Sequence, residues 1–255
     1  MDVTVDELLA GRASLSIDDP RQTTVELHTH LRELIISGVF PPGTELKQAE
    51  LARIFAVSRT PMREAFRMLQ EEGLVSAAPN QRSRVVGLVP EELELLYAAR
   101  ISLESMGVRL TAGRLGRAED REASSALREM DRTYRSGELT SWAVAHRRFH
   151  QQMVSRCGST VLRTISSYAA QSERYIRSDQ SRHRRDYPAR RREHVAILEA
   201  VRTGAVRDAV RLNAEHLAGT ACRVMESTAP GHSMRAVVAA VELVTGTTDW
   251  APVGG

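Results

Sequence analysis

Apolar residues recur at helical spacing along most of this chain, and short polar or glycine-containing interruptions divide it into elements. The first clear helical stretch, residues 23–38, ends at Gly38 and contains six apolar positions: Val25, Leu27, Leu31, Leu34, Ile35 and Ile36. A turn at residues 41–43 separates it from a short helical stretch at residues 47–55. Residues 1–22 show no such pattern and contain the breaker sequence Asp18-Asp19-Pro20, so we expect a disordered N-terminal extension there.

The sequence VSRTPMREAFRMLQEEGL at residues 57–74 predicts an amphipathic helix. Its inward face is defined by apolar residues at i, i+3, i+4 and i+7: Met62, Ala65, Phe66 and Leu69. At about 100° per residue, the opposite side carries polar residues: Thr60, Arg63, Glu64 and Arg67. Because proline is tolerated only in the first turn, Pro61 places the start of the helix near Ser58 or Thr60, either of which can cap it.

Residues 74–88, LVSAAPNQRSRVVGL, predict a β-hairpin. Two β-prone pieces, residues 74–77 and 83–87, flank a polar turn at residues 79–81. Arg82 follows this turn and could meet a DNA phosphate or the minor groove. Helices followed by a hairpin in this order predict a winged helix-turn-helix domain over residues 23–88.

After Pro90 every segment has a helical pattern, and loops at glycine or proline separate the segments. The predicted helices are residues 91–115, 118–135, 138–156, 160–178, 189–203 and 206–226. We therefore predict a mainly α fold, in which the winged helix-turn-helix is followed by an all-α helical bundle at residues 91–226. We expect a flexible tail at residues 227–255, with a short helix at residues 233–244.

Composition narrows the class of protein. Apolar residues make up 42% of the chain, but no apolar run approaches the roughly 18–20 residues of a membrane span, so we expect no membrane partner. The N-terminus lacks the basic and apolar pattern of a secretory signal, and two cysteines are too few for a disulfide framework, which favours a cytoplasmic location. The net charge of +3 decides little, and Lys47 is the only lysine, so the position of each arginine matters more than arginine content.

The placement of arginines on the helix at residues 57–74 indicates DNA binding. The second helix of a helix-turn-helix lies in the major groove with its N-terminal side chains toward base edges. Arginine there can bond both acceptors of guanine. The predicted DNA-facing residues are Ser58, Arg59, Thr60, Arg63 and Arg67, with Arg82 on the hairpin. The alternative for any single arginine is that an amphipathic helix simply exposes it to solvent.

The stretch ELARIFAVSRTPMREAFRMLQEEGLV closely resembles the DNA-binding domain of GntR-type bacterial repressors. This resemblance implies that Arg59 and Arg63 contact operator bases and that a homodimer binds a palindromic operator in double-stranded DNA. Two positions depart from the family pattern. Ala49 stands where relatives often have a basic residue, and Arg82 stands where many have glycine.

Four histidines form a candidate metal site in the helical bundle. His146 and His150 in HRRFH lie one turn apart on one face, a spacing suited to sharing an ion. His194 lies ten residues before Gly204 and His216 twelve after it, so an antiparallel hairpin would bring them to one level. With eight histidines in the chain, an i,i+4 pair also arises by chance. Imidazole ligands suit zinc, or nickel and other first-row ions.

The patterns FHQQMV and EHVAILEAVRTGAVRDAVRLNAEHL are similar to the FCD effector domain of the FadR subfamily of GntR regulators. In its metal-binding members an aspartate and three histidines hold the ion. The resemblance carries the three histidines to His150, His194 and His216, and places His146 at the aspartate position. It also implies a small carboxylate effector bound beside a divalent metal, with zinc expected.

ARISLES at residues 99–105 matches the subfamily pattern R-x-x-x-E, with Arg100 and Glu104. The two alternatives are a surface i,i+4 salt bridge and an inward guanidinium that binds an anionic effector. Catalysis is not expected, because Arg147 occupies the position of the general base in HExxH and no other catalytic motif is present. The prediction is a ligand-responsive transcriptional repressor; a metal-dependent enzyme and an effector-independent architectural DNA binder are the alternatives.

Overall fold

The computed structural model describes residues 5–9, 22–76, 82–87, 89–182, 187–247 and 250, without the side chains of residues 6, 82 and 174–182. The chain divides into two compact units, Met1–Leu88 and Val89–Gly255. The order of elements confirms the predicted mainly α fold. Among the described helices, none combines the length and apolar character needed to cross a membrane.

The first unit packs helices around a small core beside a short sheet. Its described elements are α1 (Val5–Leu9), α2 (Thr23–Ile36), β1 (Glu45–Lys47), α3 (Gln48–Ile54), α4 (Arg59–Glu71) and β2 (Arg82–Arg84). The predicted apolar stripe of α4 is buried against this core, with Met62, Ala65, Phe66 and Leu69 each 0% exposed. That burial fixes which side of α4 remains on the surface.

The predicted hairpin is present in the described part, but its turn at residues 79–81 lies outside it. Val75 forms an antiparallel bridge with Val85, and the Ser76 N–H donates to the Arg84 carbonyl at 2.9 Å. Strand β1, which was not predicted from the sequence, pairs antiparallel with β2 and aligns Leu46 with Ser83. Three residues are too few for an alternating pattern to be recognised.

The prediction of a disordered extension at residues 1–22 was wrong for α1. Val5 is 5% exposed and belongs to the core of the first unit, and Leu8 and Leu9 pack against that core. Such a short helix is not stable alone in water, so it depends on this packing. The sequence signal was the i, i+3, i+4 spacing of these three residues.

The second unit is an all-helical bundle. Its elements are α5 (Pro90–Thr111), α6 (Arg117–Ser136), α7 (Leu139–Met153), α8 (Ser159–Arg182), α9 (Tyr187–Thr203), α10 (Val206–Thr228) and α11 (Arg235–Thr245). Helix α5 packs against α10 and α11, and α6 packs against α7. Helix α8 extends beyond the predicted end at residue 178, so that end was wrong by one turn.

Two glycine loops meet at one end of the bundle. Gly113 has φ +73° and donates its N–H to the Val201 carbonyl at 2.8 Å, which explains why α5 ends before the predicted residue 115. Gly204, with φ +76°, turns the chain from α9 to α10, and a Cβ there would lie 3.2 Å from Gly113 Cα. Both positions therefore need glycine for conformation and for close approach. The α9–α10 turn sets the level at which the histidines of these helices meet.

The short helix predicted at residues 233–244 is present as α11, but the predicted flexibility of this part of the tail was wrong. Val237 and Val241 are each 0% exposed. The buried Glu94 carboxylate on α5 accepts a hydrogen bond from the Ala236 N–H at 2.6 Å and lies 2.9 Å from His232 Nε2. A carboxylate at the first turn of a helix also interacts favourably with the helix dipole. Apolar packing and this contact hold α11 on the bundle.

Replacing Glu94 with alanine is expected to lower the free energy of unfolding of the second unit by about 1–3 kcal/mol, because hydrogen bonds to a charged group are lost from a buried position. Urea unfolding followed by tryptophan fluorescence measures this, since Trp142 and Trp250 both lie in this unit. The matched control is Glu91→Ala, an exposed acid on the same helix, with an expected change below about 0.5 kcal/mol. Equal effects of the two variants would contradict the role of Glu94.

Candidate functional site

The outer face of α4 carries the predicted DNA-facing residues. Ser58 is the N-cap residue in extended conformation, although its side chain makes no capping hydrogen bond, and Thr60 lies inside the first turn. Neither of them therefore supplies the side-chain cap that the sequence suggested. The predicted residues of this helix are all exposed: Ser58, Arg59, Thr60, Arg63 and Arg67.

The three arginines of α4 differ in their partners. Arg67 Nε lies 3.0 Å from Glu64, and its Nη1 makes a second ion pair with Glu71. Arg63 is only loosely paired, with Glu64 Oε1 3.9 Å away, and Arg59 makes no ion pair with any described residue. Arg59 and Arg63 are therefore the two guanidinium groups of this helix most available to an external anion.

The remaining predictions for the first unit concern two other positions. The Arg82 backbone lies in β2, but its side chain is outside the described part of the chain. Ala49 is exposed in the first turn of α3. Lys47 is also exposed and is the N-cap residue of α3. This position supplies a basic group near the point where the family pattern has one.

Three helices of the second unit bring the four histidines together. His146 and His150 lie on α7, His194 on α9 and His216 on α10. One ring nitrogen from each lies within 4.8 Å of the others. His150, His194 and His216 are buried, and His146 is half-buried. The α9–α10 turn at Gly204 thus places its two histidines at one level, 4.4 Å apart between ring centroids.

The ring nitrogens of this cluster are poorly satisfied by the protein. Nδ1 of His150 is buried without a hydrogen-bond partner among the described residues, and both nitrogens of His194 are buried with the Arg190 backbone as a nearby polar contact. Nε2 of His146 lies 3.1 Å from Nε2 of His150. Two nitrogens bound at about 2.0–2.1 Å to one tetrahedral zinc ion stand about 3.3 Å apart. A pair of imidazole nitrogens at nearly this spacing, beside buried ring nitrogens without a close protein partner, fits a shared metal ion better than a purely structural cluster.

Neighbouring side chains hold the imidazole rings in place. His216 Nδ1 lies 2.7 Å from the Glu193 carboxylate, which leaves Nε2 for the cluster, an arrangement common at metal sites. The His146 ring stacks on Trp142 with centroids 4.6 Å apart, and Phe149 meets His194 edge-on at 5.2 Å. The rings are therefore oriented by contacts outside the cluster.

Burial decides the protonation of these histidines. Desolvation, followed by the charges of neighbouring imidazoles, holds the pKa of His150 and His194 well below the ordinary value. Desolvation also lowers the pKa of His146, and His216 and Arg100 add to this effect. Burial, the largest influence, raises the pKa of Glu193, but the hydrogen bond and charge of His216 and the nearby arginines lower it overall. Neutral imidazoles keep the lone pairs that a metal needs.

Arg100 points inward, so the alternative of an exposed i,i+4 salt bridge does not describe it, and its effector-binding role stays a prediction. Its side chain is 3% exposed and that of Glu104 is 1% exposed. Arg100 Nε donates to Glu104 at 2.8 Å, and Nη1 donates to the Ser172 hydroxyl of α8 at 2.7 Å. A buried pair with a third partner differs from an exposed i,i+4 pair, because its charges are removed from water.

A cavity of about 540 Å³, including its open mouth, lies against the histidine cluster. His146, His150 and Arg100 line it. Arg147 also lines it and makes an ion pair with the buried Glu173. The arrangement can bind a small anion between guanidinium groups and imidazoles.

Arg147 entered the sequence-based prediction only because it stands where the HExxH motif has its general base. Its place in the cavity was not predicted, and neither were those of Ser172 and Glu173. The available signal was its position three residues before His150, which puts it on a neighbouring part of the same helix face. Glu173 and Ser172 lie on α8, and no local pattern connects that helix with α7 or α5. Tertiary packing alone brings them to the cavity.

Comparison with known proteins matches each of the two units to a described protein family. Residues 23–85 match the family described as bacterial regulatory proteins, gntR family, and residues 94–219 match the FCD domain. An HTH-type transcriptional regulator from the TAR-I ttuE-ttuC' intergenic region of Agrobacterium vitis is 32% identical over 156 residues, covering 58% of this chain and 88% of that protein. YdhC of Bacillus subtilis, another HTH-type transcriptional regulator, is 29% identical over 139 residues, covering 54% of this chain but only 62% of that protein.

The HTH-type transcriptional repressor GlaR of Escherichia coli is 30% identical over 144 residues, covering 55% of this chain and 66% of that protein. Two solved structures share the fold. Escherichia coli McbR/YncC superposes with a TM-score of 0.69 at 19% identity, covering 80% of this chain and 98% of that chain. A protein described as a GntR transcriptional regulator from Rhodococcus sp. RHA1 gives a TM-score of 0.67 at 24% identity, with the same coverage.

Proposed function

Because the chain belongs to the GntR family of bacterial regulatory proteins, we propose that it is a homodimeric repressor that leaves its operator when a small organic acid binds. Family membership makes it a transcriptional regulator rather than an enzyme, and the FCD domain is its ligand-binding part. Repression, rather than activation, of transcription is supported by the similarity to GlaR, which is described as a repressor. Dimerisation, the operator and the bound groups are the further steps of the proposal.

The observation that carries the DNA-binding step is the availability of Arg59 and Arg63 at the entrance of α4. Both are exposed, and neither has a close carboxylate partner among the described residues. Placed in the major groove, each guanidinium can bond O6 and N7 of one guanine. Arg67 serves as a phosphate contact, because its ion pairs with Glu64 and Glu71 limit its reach to base edges. Ser58 and Thr60 contact the DNA backbone, and Arg82 approaches it from the wing.

Two copies of α4, one from each chain of a homodimer, would read half-sites related by a two-fold axis. Centre-to-centre spacing of such half-sites is about 10–10.5 base pairs or a multiple of this. The operator is therefore expected to be a palindrome with guanines at corresponding positions of each half. A symmetric dimer with a symmetric operator also explains why a single basic helix per chain is sufficient.

In the second unit, His146, His150, His194 and His216 would hold a divalent metal ion, with zinc expected and nickel or another first-row ion as alternatives. The orphaned nitrogens of His150 and His194 support this. When bound, such an ion supplies a Lewis acid that attracts a carboxylate oxygen. His216 is oriented by Glu193, and Trp142 packs on His146, so the donor set is prepared by the fold.

Arg100 would orient the organic acid in the cavity. Its guanidinium is buried and already directed by Glu104 and Ser172, so little conformational entropy is lost when an anion binds. A carboxylate that reaches this cavity competes with these internal partners and alters the contacts between α5 and α8. If the organic acid binds the free protein more tightly than the DNA-bound protein, it lowers operator affinity. By thermodynamic linkage, the factor of that decrease equals the ratio of the two affinities for the acid.

The function is tested by selecting binding sites from random duplex DNA with the purified full chain. We expect enrichment of a two-fold symmetric sequence, bound by two chains per duplex, and release of that DNA by small carboxylates from metal-loaded but not metal-stripped protein. Failure to enrich any sequence would contradict operator recognition. A selected operator whose affinity no carboxylate changes would favour the effector-independent DNA binder.

A further inference from the structure

The potential ligands of the histidine cluster are neutral donors. The group that the described residues bring together consists of four imidazoles and contains no carboxylate. A divalent ion bound there keeps its whole charge, because a ligating imidazole is neutral. The nearest described carboxylate contact is outside the ring of donors, where Glu193 binds Nδ1 of His216. The inference follows from the uncompensated charge of the ion and rests on the metal site proposed above.

The two arginines on the cavity wall do not change the net charge around the proposed ion. Arg100 is paired with Glu104 at 2.8 Å, and Arg147 is paired with Glu173. Each of these two ion pairs contributes no net charge. In a buried site, an unbalanced charge is strongly unfavourable, since the surroundings solvate it poorly. The charge of Glu193, which contacts His216, is offset by the nearby Arg190 and Arg223, so the excess charge of the ion is left for the ligand to balance.

The residues that line the cavity indicate how an anion can balance the charge of the ion. His146 and His150 form one part of its wall, and Arg147, whose side chain is 31% exposed, forms another. The apolar side chains of Trp142, Ala143, Ile165 and Ala169 also line the cavity. An arginine has five N–H donors, so Arg147 can bind a second carboxylate beside Glu173. Two acid groups joined by a short apolar spacer match this combination of imidazole, guanidinium and apolar surfaces.

We propose that the cavity selects a small dicarboxylate over a monocarboxylate of the same shape, and that His146 is the residue that sets this preference. An aspartate at position 146 would bring one negative charge into the donor set and lower the net charge of the centre by one. The ligand would then need one negative charge fewer. Arg147 is the second specificity-determining residue, because it faces the acid group that lies farther from the ion.

The preference is measured by titration calorimetry of the metal-loaded full chain with pairs of compounds that differ by one charge. Succinate and succinamate have the same number of non-hydrogen atoms, and malonate with malonamate and glutarate with glutaramate test other spacers. For at least one spacer, the diacid is expected to bind at least about 10-fold more tightly. In His146→Asp the preference falls to about twofold or reverses.

Controls separate the proposal from the metal site on which it rests. Metal content is measured first; a wild-type chain that takes up no metal contradicts the proposed metal site and the inference together. His30→Asp adds the same charge to the first unit, and is expected to leave the preference unchanged. Stoichiometric metal with equal affinity for diacid and monoacid in every pair overturns the inference alone. So does an unchanged preference in metal-loaded His146→Asp, or no binding of any compound at about 10 mM.

If His146→Asp loses metal or fails to fold, a second variant tests the other specificity residue. Arg147→Gln combined with Glu173→Gln removes both members of the ion pair, so that no buried charge is left without its partner. We expect unchanged metal content and a diacid preference at least about threefold weaker than that of the wild type. A preference equal to that of the wild type contradicts the role of Arg147.

Discussion

Replacing Arg63 with alanine is expected to weaken binding to the selected operator by roughly 30-fold or more. Each good bidentate contact to guanine contributes about 1–3 kcal/mol of discrimination, and a dimer makes the contact in both half-sites. Binding to unrelated DNA should fall much less, because that binding depends on phosphate charges rather than base edges. Fluorescence anisotropy with both duplexes at several salt concentrations measures the two losses separately.

The matched control is Arg67→Ala, one turn further along the same exposed face of α4. Arg67 is held by Glu64 and Glu71, so we expect a small and similar loss on both DNAs, with a salt dependence reduced by about one phosphate contact or less. The two variants remove the same charge and differ only in position. An equal loss on both DNAs for Arg63→Ala would make Arg63 a phosphate contact and contradict its role in base recognition.

The course of α4 could be predicted from sequence because its signals are local. Pro61 marks the first turn, and an apolar stripe at helical spacing fixes the buried face, which leaves Arg59 and Arg63 outward. Helix α1 and strand β1 could not be predicted in the same way. Strand β1 is too short for an alternating pattern, and α1 offers only one set of apolar residues at helical spacing; each is stabilised by packing or pairing with residues distant in sequence.

The histidine cluster was predictable to the extent that helix geometry determines it. An i,i+4 pair and two histidines nearly equidistant from Gly204 reach one level once α9 and α10 form a hairpin. The acidic partners in the cavity were not predictable. Glu173 reaches Arg147 from α8, and the inward direction of Arg100 depends on how α5 packs, which its i,i+4 partner Glu104 does not reveal.

Replacing His194 with leucine is expected to have opposite effects on metal-loaded and metal-free protein. Both ring nitrogens of His194 are buried and the Arg190 backbone can satisfy only one of them, so at least one is unsatisfied, which costs about 1–3 kcal/mol. Leucine has a similar volume and no polar atom, so the metal-free variant should be as stable as the wild type or more stable. With metal at about 1,000 times its dissociation constant, the wild type should gain about 4 kcal/mol. The variant should gain less than about 1 kcal/mol at the same metal concentration.

Urea unfolding followed by tryptophan fluorescence, with and without added zinc, gives the four free energies, and elemental analysis gives the metal content. The control is His232→Ala, which removes an imidazole from the same unit outside the cluster and breaks its contact with Glu94. That variant should lose stability in both conditions but keep the whole metal-dependent gain. If His194→Leu destabilises metal-free protein as much as loaded protein, the imidazole has a structural role, and the cluster is a polar part of the core. If His194→Leu stabilises only the metal-free protein, the histidine is explained by ion binding. In that case the free energy lost by its unpaired nitrogens is recovered only when the ion binds.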